Sequence, residues 1–223
     1  MSKYRWTGFA QLICLAFVLP AAVLSTTAAF AQKVGHFDVS ASAAEMFPKS
    51  STGNGTTDTP TISFAQLGTF RYRRSFRNSI IANYGRTSQS QVYSVGENQF
   101  QVLGKVIEYS GAYVLNLFPE EKKFETFVLA GGGELSFVPG ATFITTPFGQ
   151  PGYSYQVPLH TVGQKEAAFL YGGGIDYPVR HHWALRMQYR GLLYRAPDFS
   201  GPGFFTGAHG HIAETAGGVV FRF

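Results

Sequence analysis

The sequence is short of cysteine, charge, helical periodicity and long apolar runs. Its one cysteine, Cys14, precludes a disulfide framework, although the segment around it reads as secreted. Charged residues make up only 14% of the 223, against the usual quarter or so, while aromatics reach 16%. That balance excludes a disordered chain, which has few aromatics and a strong net charge. It also weakens a nucleic-acid reading: the formal charge is +5, but the Lys and Arg are scattered rather than gathered into a stripe. No Gly-x-x-x-x-Gly-Lys-Ser/Thr run is present, so Gly131-Gly132-Gly133 and Gly172-Gly173-Gly174 do not read as a phosphate-cradling loop.

What is there begins with an export signal. Lys3 and Arg5 precede the apolar stretch Leu12 to Leu24, and Ala29-Phe30-Ala31 supplies small residues at a cleavage site. The stretch is broken by Pro20 and falls short of the ~20 apolar residues of a spanning helix. Residues 1–31 are therefore expected to be a cleaved signal peptide, with 32–223 a single domain starting at Gln32. Loss of Lys3 and Arg5 takes the formal charge from +5 to +3 and removes the only cysteine.

After Ala31 the pattern is alternation with a period of two. In the last run Ala213, Thr215, Gly217, Val219, Phe221 and Phe223 share one face, and Glu214, Ala216, Gly218, Val220 and Arg222 the other. Leu185, Met187, Tyr189 and Leu193 likewise alternate with Arg186, Gln188, Arg190 and Leu192. Turn residues divide the chain into eight segments, near 34–47, 61–73, 78–89, 99–118, 123–139, 162–178, 183–196 and 208–223. Connections at 74–77, 119–122 and 179–182 are short, whereas 48–60, 90–98, 140–161 and 197–207 are long. Short and long loops alternating between even-numbered strands are the habit of a transmembrane barrel. A soluble sandwich with Phe, Tyr and Leu on every strand would expose far more apolar surface than the ~300–600 Å² that monomers tolerate. The fold expected is thus all-β, an eight-stranded antiparallel up-and-down transmembrane β-barrel in the outer membrane.

Several segments carry a resemblance. LGTFRYR (67–73), NYG (83–85), FVLAGGGELSF (127–137), FLYGGGIDYPV (169–179), LRMQYRGLLYRAPDF (185–199) and the terminal GGVVFRF make the chain similar to the small outer-membrane β-barrel proteins related to the OmpA transmembrane domain. The resemblance covers 34–223, and the peptidoglycan-binding domain of the larger members is not expected. It implies that Val219, Phe221 and Phe223 form a C-terminal signal for the barrel-assembly machinery. It also implies outer-membrane lipids and lipopolysaccharide as surroundings, with any surface ligand unidentified.

Eight strands leave a lumen just filled by side chains. The inward set expected is Asp38, Glu108, Glu134, Glu166, Asp176 and Glu214 against Arg71, Arg73, Arg186, Arg190 and Arg222, six acids facing five bases. Such groups must pair or be wet. They read as an ion-pair plug, with a narrow polar pore for small solutes as the alternative. The glycine triplets read as sites of bending or of close packing around large inward side chains.

A lipid-modifying enzyme of the outer membrane is the third reading, and the residues give it little. His209 and His211 share one face, but no serine stands at the spacing a lipid-acting hydrolase needs, and two histidines without a third ligand make a weak metal site. No cofactor and no metal are expected. The outer loops hold Phe143, Phe148, Tyr153, Tyr155, Phe199, Phe204 and Phe205, read either as a contact surface or as rings packing on one another. Arg73, Arg74, Arg77 and Arg180 gather near the short turns, placed to meet lipid phosphates.

Overall fold

The computed structural model describes residues 36–118, 124–147, 154–158, 160–201 and 203–223. The signal peptide expected at 1–31, the short turn 119–122 and the rings of Phe148 and Tyr153 lie outside the described residues. Among the described residues, eight long strands close a barrel: β1 (Phe37–Lys49), β4 (Ser63–Arg73), β5 (Asn78–Val95), β6 (Asn98–Asn116), β7 (Glu125–Pro147), β9 (Gln164–Arg180), β10 (Trp183–Arg195) and β11 (His209–Arg222). Three short strands, β2 (Ser51–Gly53), β3 (Thr56–Pro60) and β8 (Ser154–Pro158), extend the wall beyond one rim. Every long strand pairs antiparallel with its neighbours, and β1 joins β11 from Asp38↔Arg222 to Lys49↔His211. The seam is finished by Phe37 N donating to Phe223 O at 3.2 Å and Phe223 N to Phe37 O at 3.0 Å. Among the described residues, closure leaves each of the eight long strands paired on both sides, the condition for strands in lipid.

The barrel has two unlike ends. The end with the termini carries short turns: the 74–77 connection is tight, with Ser75 and Asn78 exchanging backbone hydrogen bonds, and 181–182 is a two-residue turn. At the other end the strands run on. The long loop expected at 90–98 is instead strand: β5 and β6 stay paired up to Val95↔Asn98, and only Gly96 and Glu97 turn the chain. Gly96 stands at φ 57, the left-handed value that the first position of a primed hairpin turn requires. The 48–60 connection likewise holds the β2–β3 hairpin, turned by Asn54 at φ 51 and Gly55 at φ 73, the Asn-Gly pattern of a type I′ turn. β3 then pairs with the outer half of β5, so the wall continues above the rim.

The outside is apolar. Val39, Phe70, Ile80, Leu185, Met187 and Val219 are each at least two-fifths exposed, on the faces that alternate with buried polar residues. Near the short-turn end the rings form a continuous chain, Tyr72 to Phe37 to Phe223 to Phe221 to Trp183, with centroids 4.9 to 6.1 Å apart. This is an interfacial aromatic girdle, and it crosses the β1–β11 seam. Val219, Phe221 and Phe223 all face outward, the latter two within that girdle.

One strand reverses the expected facing. In β7 the bulky residues Phe127, Leu129, Leu135 and Phe137 point inward, and Glu134 points out. Register is the cause: Leu135 lies opposite Glu108 of β6, Glu108 faces the lumen, and directly opposed residues share a face. Glu134 is therefore not a lumen residue. It pairs at 2.9 Å with Lys165 on the outer surface.

Candidate functional site: a layered, filled lumen

The lumen is built from inward positions on all eight long strands and changes character along its length. At the short-turn end lies an ionic floor. Arg73 Nε donates to Asp38 at 2.9 Å, and Arg186 forms a two-pronged pair with Asp176 at 2.7 and 2.8 Å. Arg71 reaches Asp176 at 3.3 Å. Glu125, which the sequence pattern did not flag, is clasped by Arg73 at 2.9 Å and by Arg222 at 2.8 and 3.1 Å. Between the guanidinium groups stands the buried ring of Phe127, with Arg71 Cζ at 4.7 Å and Arg186 Cζ at 5.4 Å from its centroid. These are cation–π distances.

One layer farther in, Arg190 uses its whole donor fork. Nε and Nη2 donate to Glu214 at 2.9 and 2.8 Å, and Nη1 and Nη2 to Glu108 at 3.0 and 2.9 Å. A polar relay crosses three strands to the same glutamate. Thr69 donates to Asn83, Asn83 to Ser110, and Ser110 to Glu108, at 2.9, 3.0 and 2.6 Å. The ionic groups are therefore five arginines, Arg71, Arg73, Arg186, Arg190 and Arg222, against five acids, Asp38, Glu108, Glu125, Asp176 and Glu214. Replacing Glu134 and Glu166 of the expected set by Glu125 makes the count neutral. Glu166 is turned to the lumen side near the outer rim, apart from the floor and beside Gln164, which donates to it.

Above Arg190 the filling becomes largely aliphatic, with Met46, Leu67, Leu135, Leu170, Leu192 and Ile212 all buried, while β5 contributes the buried polar Thr87, Gln89 and Gln91. A space of about 10 Å³ beside Glu108 and Glu214 is one of the gaps, the size of a single water. Where the lumen narrows, the inward glycines give room: a Cβ on Gly174 would stand 2.7 Å from the Phe127 ring and 2.8 Å from Gln188 Cβ.

The outer mouth is capped by the 196–208 connection. Phe199 and Phe204 turn into the barrel and pack edge-on against Tyr93, at 6.2 and 5.0 Å, while Phe137 meets Tyr194 at 5.6 Å. Of the two readings open for these loop rings, Phe199 and Phe204 follow the inward one, and Phe205 stays exposed. The cap is fastened by Gln164 Oε1, which accepts from Asp198 N at 2.9 Å and Phe199 N at 3.0 Å, and by Tyr93 OH at 2.9 Å from Pro197 O. Phe199 and Ser200 hold left-handed φ values of 45° and 59°.

Some buried polar atoms lack a hydrogen-bond partner. In the floor these include Asp38 Oδ1, Arg71 Nε and Arg73 Nη2, which still lie 3.7 to 4.0 Å from an oppositely charged group, and Arg222 Nε. In the outer hairpin Asp58, 1% exposed and opposite Tyr93, has an unpartnered Oδ1, and burial pushes its carboxyl up to about 7. Arg73, placed by the sequence both in the inward set and among the basic residues near the short turns, follows the first reading and is buried in the floor. Arg74 and Arg77 remain exposed at the turn. His211 Nε2 lies 2.8 Å from the Tyr171 hydroxyl on the outer wall, and among the described residues no three His, Cys, Asp or Glu converge as metal ligands.

No protein-family model matches the sequence, and no curated protein matches it. Solved structures do. The outer membrane protein OprG from Pseudomonas aeruginosa is 12% identical, with 86% of this chain and 97% of that one covered and a TM-score of 0.56. Neisserial surface protein A is 16% identical, with 86% and 100% covered and a TM-score of 0.49. Ail, the attachment invasion locus protein of Yersinia pestis, is 13% identical, with 86% and 100% covered and a TM-score of 0.47. The likeness to OprG, at the level of fold, agrees with the closed ladder and apolar exterior. The chain has the fold of the small OmpA-type outer-membrane β-barrels.

Proposed function

We propose that this protein resides in the outer membrane as a closed barrel with a structural or surface-interaction role, and that it carries no steady solute flux. The observation that supports this is the double obstruction of the lumen. A neutral lattice of five arginines and five acids fills one half, and an apolar layer capped by Phe199 and Phe204 fills the other. A solute path requires both layers to move, and each resists for its own reason: separating a buried ion pair strands charges, and withdrawing the rings exposes apolar surface. On this reading residues 1–31 export the chain and are removed, and the outward β11 face with Val219, Phe221 and Phe223 is presented to the barrel-assembly machinery. The finished exterior meets phospholipid and lipopolysaccharide. The wall above the rim, made by β2, β3 and the outer halves of β5, β6 and β7, is the surface for external contact.

Planar-bilayer recording on the purified, refolded protein tests the closed state. Baseline current without resolved steps is expected. Steady ohmic openings would sink the reading and favour the narrow pore.

A further inference from the structure

The outer wall near the short-turn end contains a cleft that the lumen does not use. Outward residues on β4, β5 and β6 lie in rows fixed by register. The lowest row is Tyr72, Ile80 and Tyr113; the next is Phe70, Ala82 and Gly111; above it stand Gly68, Tyr84 and Tyr109. In the first row a short side chain sits between two rings, and in the second the centre and one flank are Ala and Gly. The result is a slot floored by Ile80 and Ala82, walled by Tyr72, Phe70 and Tyr113, and stopped at its upper end by Tyr84 and Tyr109, whose rings are 5.4 Å apart. Its lower part has a volume of about 500 Å³. At ~3.4 Å per residue the floor from Asn78 to Ala82 runs roughly 13 Å, close to half of a hydrocarbon core ~30 Å thick.

The lower end of the slot is polar, and its spare groups are donors. Arg74 is exposed and, among the described residues, has no carboxylate partner; Arg77 follows in the same turn. Asn78 Oδ1 is already occupied by the Tyr113 hydroxyl at 2.7 Å, which leaves the Asn78 amide hydrogens to donate. Ser75 Oγ accepts from Asn78 N at 3.2 Å and keeps its own O–H free. Among the described residues, no acidic residue lines the cleft. Cations and donors at one end of an apolar slot, at the level of the aromatic girdle, match a phosphate ester with a hydrocarbon chain.

We propose that this cleft holds one glycerophospholipid of the inner leaflet, its phosphodiester on Arg74, Ser75 and Asn78 and one acyl chain along Ile80 and Ala82. With Arg74 at the polar end and no acid among the described lining residues, the site favours phosphatidylglycerol over the zwitterionic phosphatidylethanolamine. The inference needs the barrel to sit in lipid but not its lumen to be closed, so a conducting barrel would leave it standing.

Native mass spectrometry of the refolded, delipidated full barrel tests it, with phosphatidylglycerol, phosphatidylethanolamine and inorganic phosphate as separate titrants. One phosphatidylglycerol per barrel is expected. Affinity should fall about fivefold in Arg74→Ala, the effect of one interfacial cation, and stoichiometric retention should be lost in Ala82→Phe, which fills the slot with an apolar ring suited to lipid. Arg180→Ala, at a different turn, serves as the control and should bind as the parent does; heat-modifiable migration verifies that each variant is folded. The proposal is overturned if the parent retains no lipid, if both cleft variants bind like the parent, or if Arg180→Ala weakens binding equally. Saturating binding of inorganic phosphate that displaces the lipid would also overturn it, by reducing the site to an anion site.

Discussion

The two halves of the lumen fill the same eight-stranded cylinder by opposite means. Near the short turns five arginines and five acids neutralise one another, with Arg71 and Arg186 set over the Phe127 ring. Toward the outer rim aliphatic side chains and then Phe199, Phe204, Tyr93 and Tyr194 exclude water, fastened by Gln164 and by the Tyr93 hydroxyl. The ionic half depends on stoichiometry: each charge is tolerable only while its partner is present. The apolar half depends on shape, and a lost ring there costs contact area without creating an uncompensated charge. A barrel wall whose inside is buried and whose outside is apolar accepts either solution, because neither needs the surrounding solvent to be water.

The difference is broken most sharply at Arg190. Arg190→Met strands Glu108 and Glu214 together in a buried layer, with an expected loss of about 3–5 kcal/mol, read as a lower urea midpoint for loss of heat-modifiable migration. Arg190→Lys should recover only part of it, because an ammonium cannot span both carboxylates. In the apolar half, Phe204→Ala should cost about 3 kcal/mol and loosen the cap, read as faster proteolysis within 196–208. Bilayer current should stay at baseline, since the floor is untouched. A current from Phe204→Ala alone would show that the cap, rather than the ion lattice, closes the barrel.

A smaller and pH-dependent effect is expected at Asp58. Its folded-state value of about 7 lies above the ordinary aspartate value of 3.8, so between those limits the folded chain holds the proton that the unfolded chain releases. Stability from this group is greatest at low pH and declines as pH rises toward 7, with the full penalty present above. Asp58→Asn should therefore raise the melting temperature at pH 8 and leave it nearly unchanged at pH 4. Smallest of all is the exposed Glu134 and Lys165 pair: Glu134→Ala should shift stability by at most about 1 kcal/mol. A larger loss there would contradict its place on the outer wall.

Glu134 and Glu125 also show where sequence reasoning reached its limit. Both are glutamates in β7, at opposite parity, so charge alone does not tell which face is inner. With a period of two, one choice of face decides every residue of a strand. Taking Glu134 as inward therefore missed Glu125, and with it the acid that makes the lumen neutral. The even face of 126–136 looked polar enough to point inward, but the bulkier Phe127 and Phe137 fill the lumen. In β10 and β11 the pattern was legible, because arginines and Glu214 alternate with large apolar residues and only one facing keeps charge out of lipid.

The sequence by itself determined the class of fold, the number of long strands, the inward arginines, and the outward Val219, Phe221 and Phe223. These follow from alternation and from an apolar content that water would not tolerate on an exposed sheet. Tertiary structure alone decided the facing of β7, the extension of β5 and β6 to a two-residue turn, and the inward turn of Phe199 and Phe204. Each depends on what lies opposite across the ladder or across the lumen, and a local period of two carries no information about partners distant in the chain.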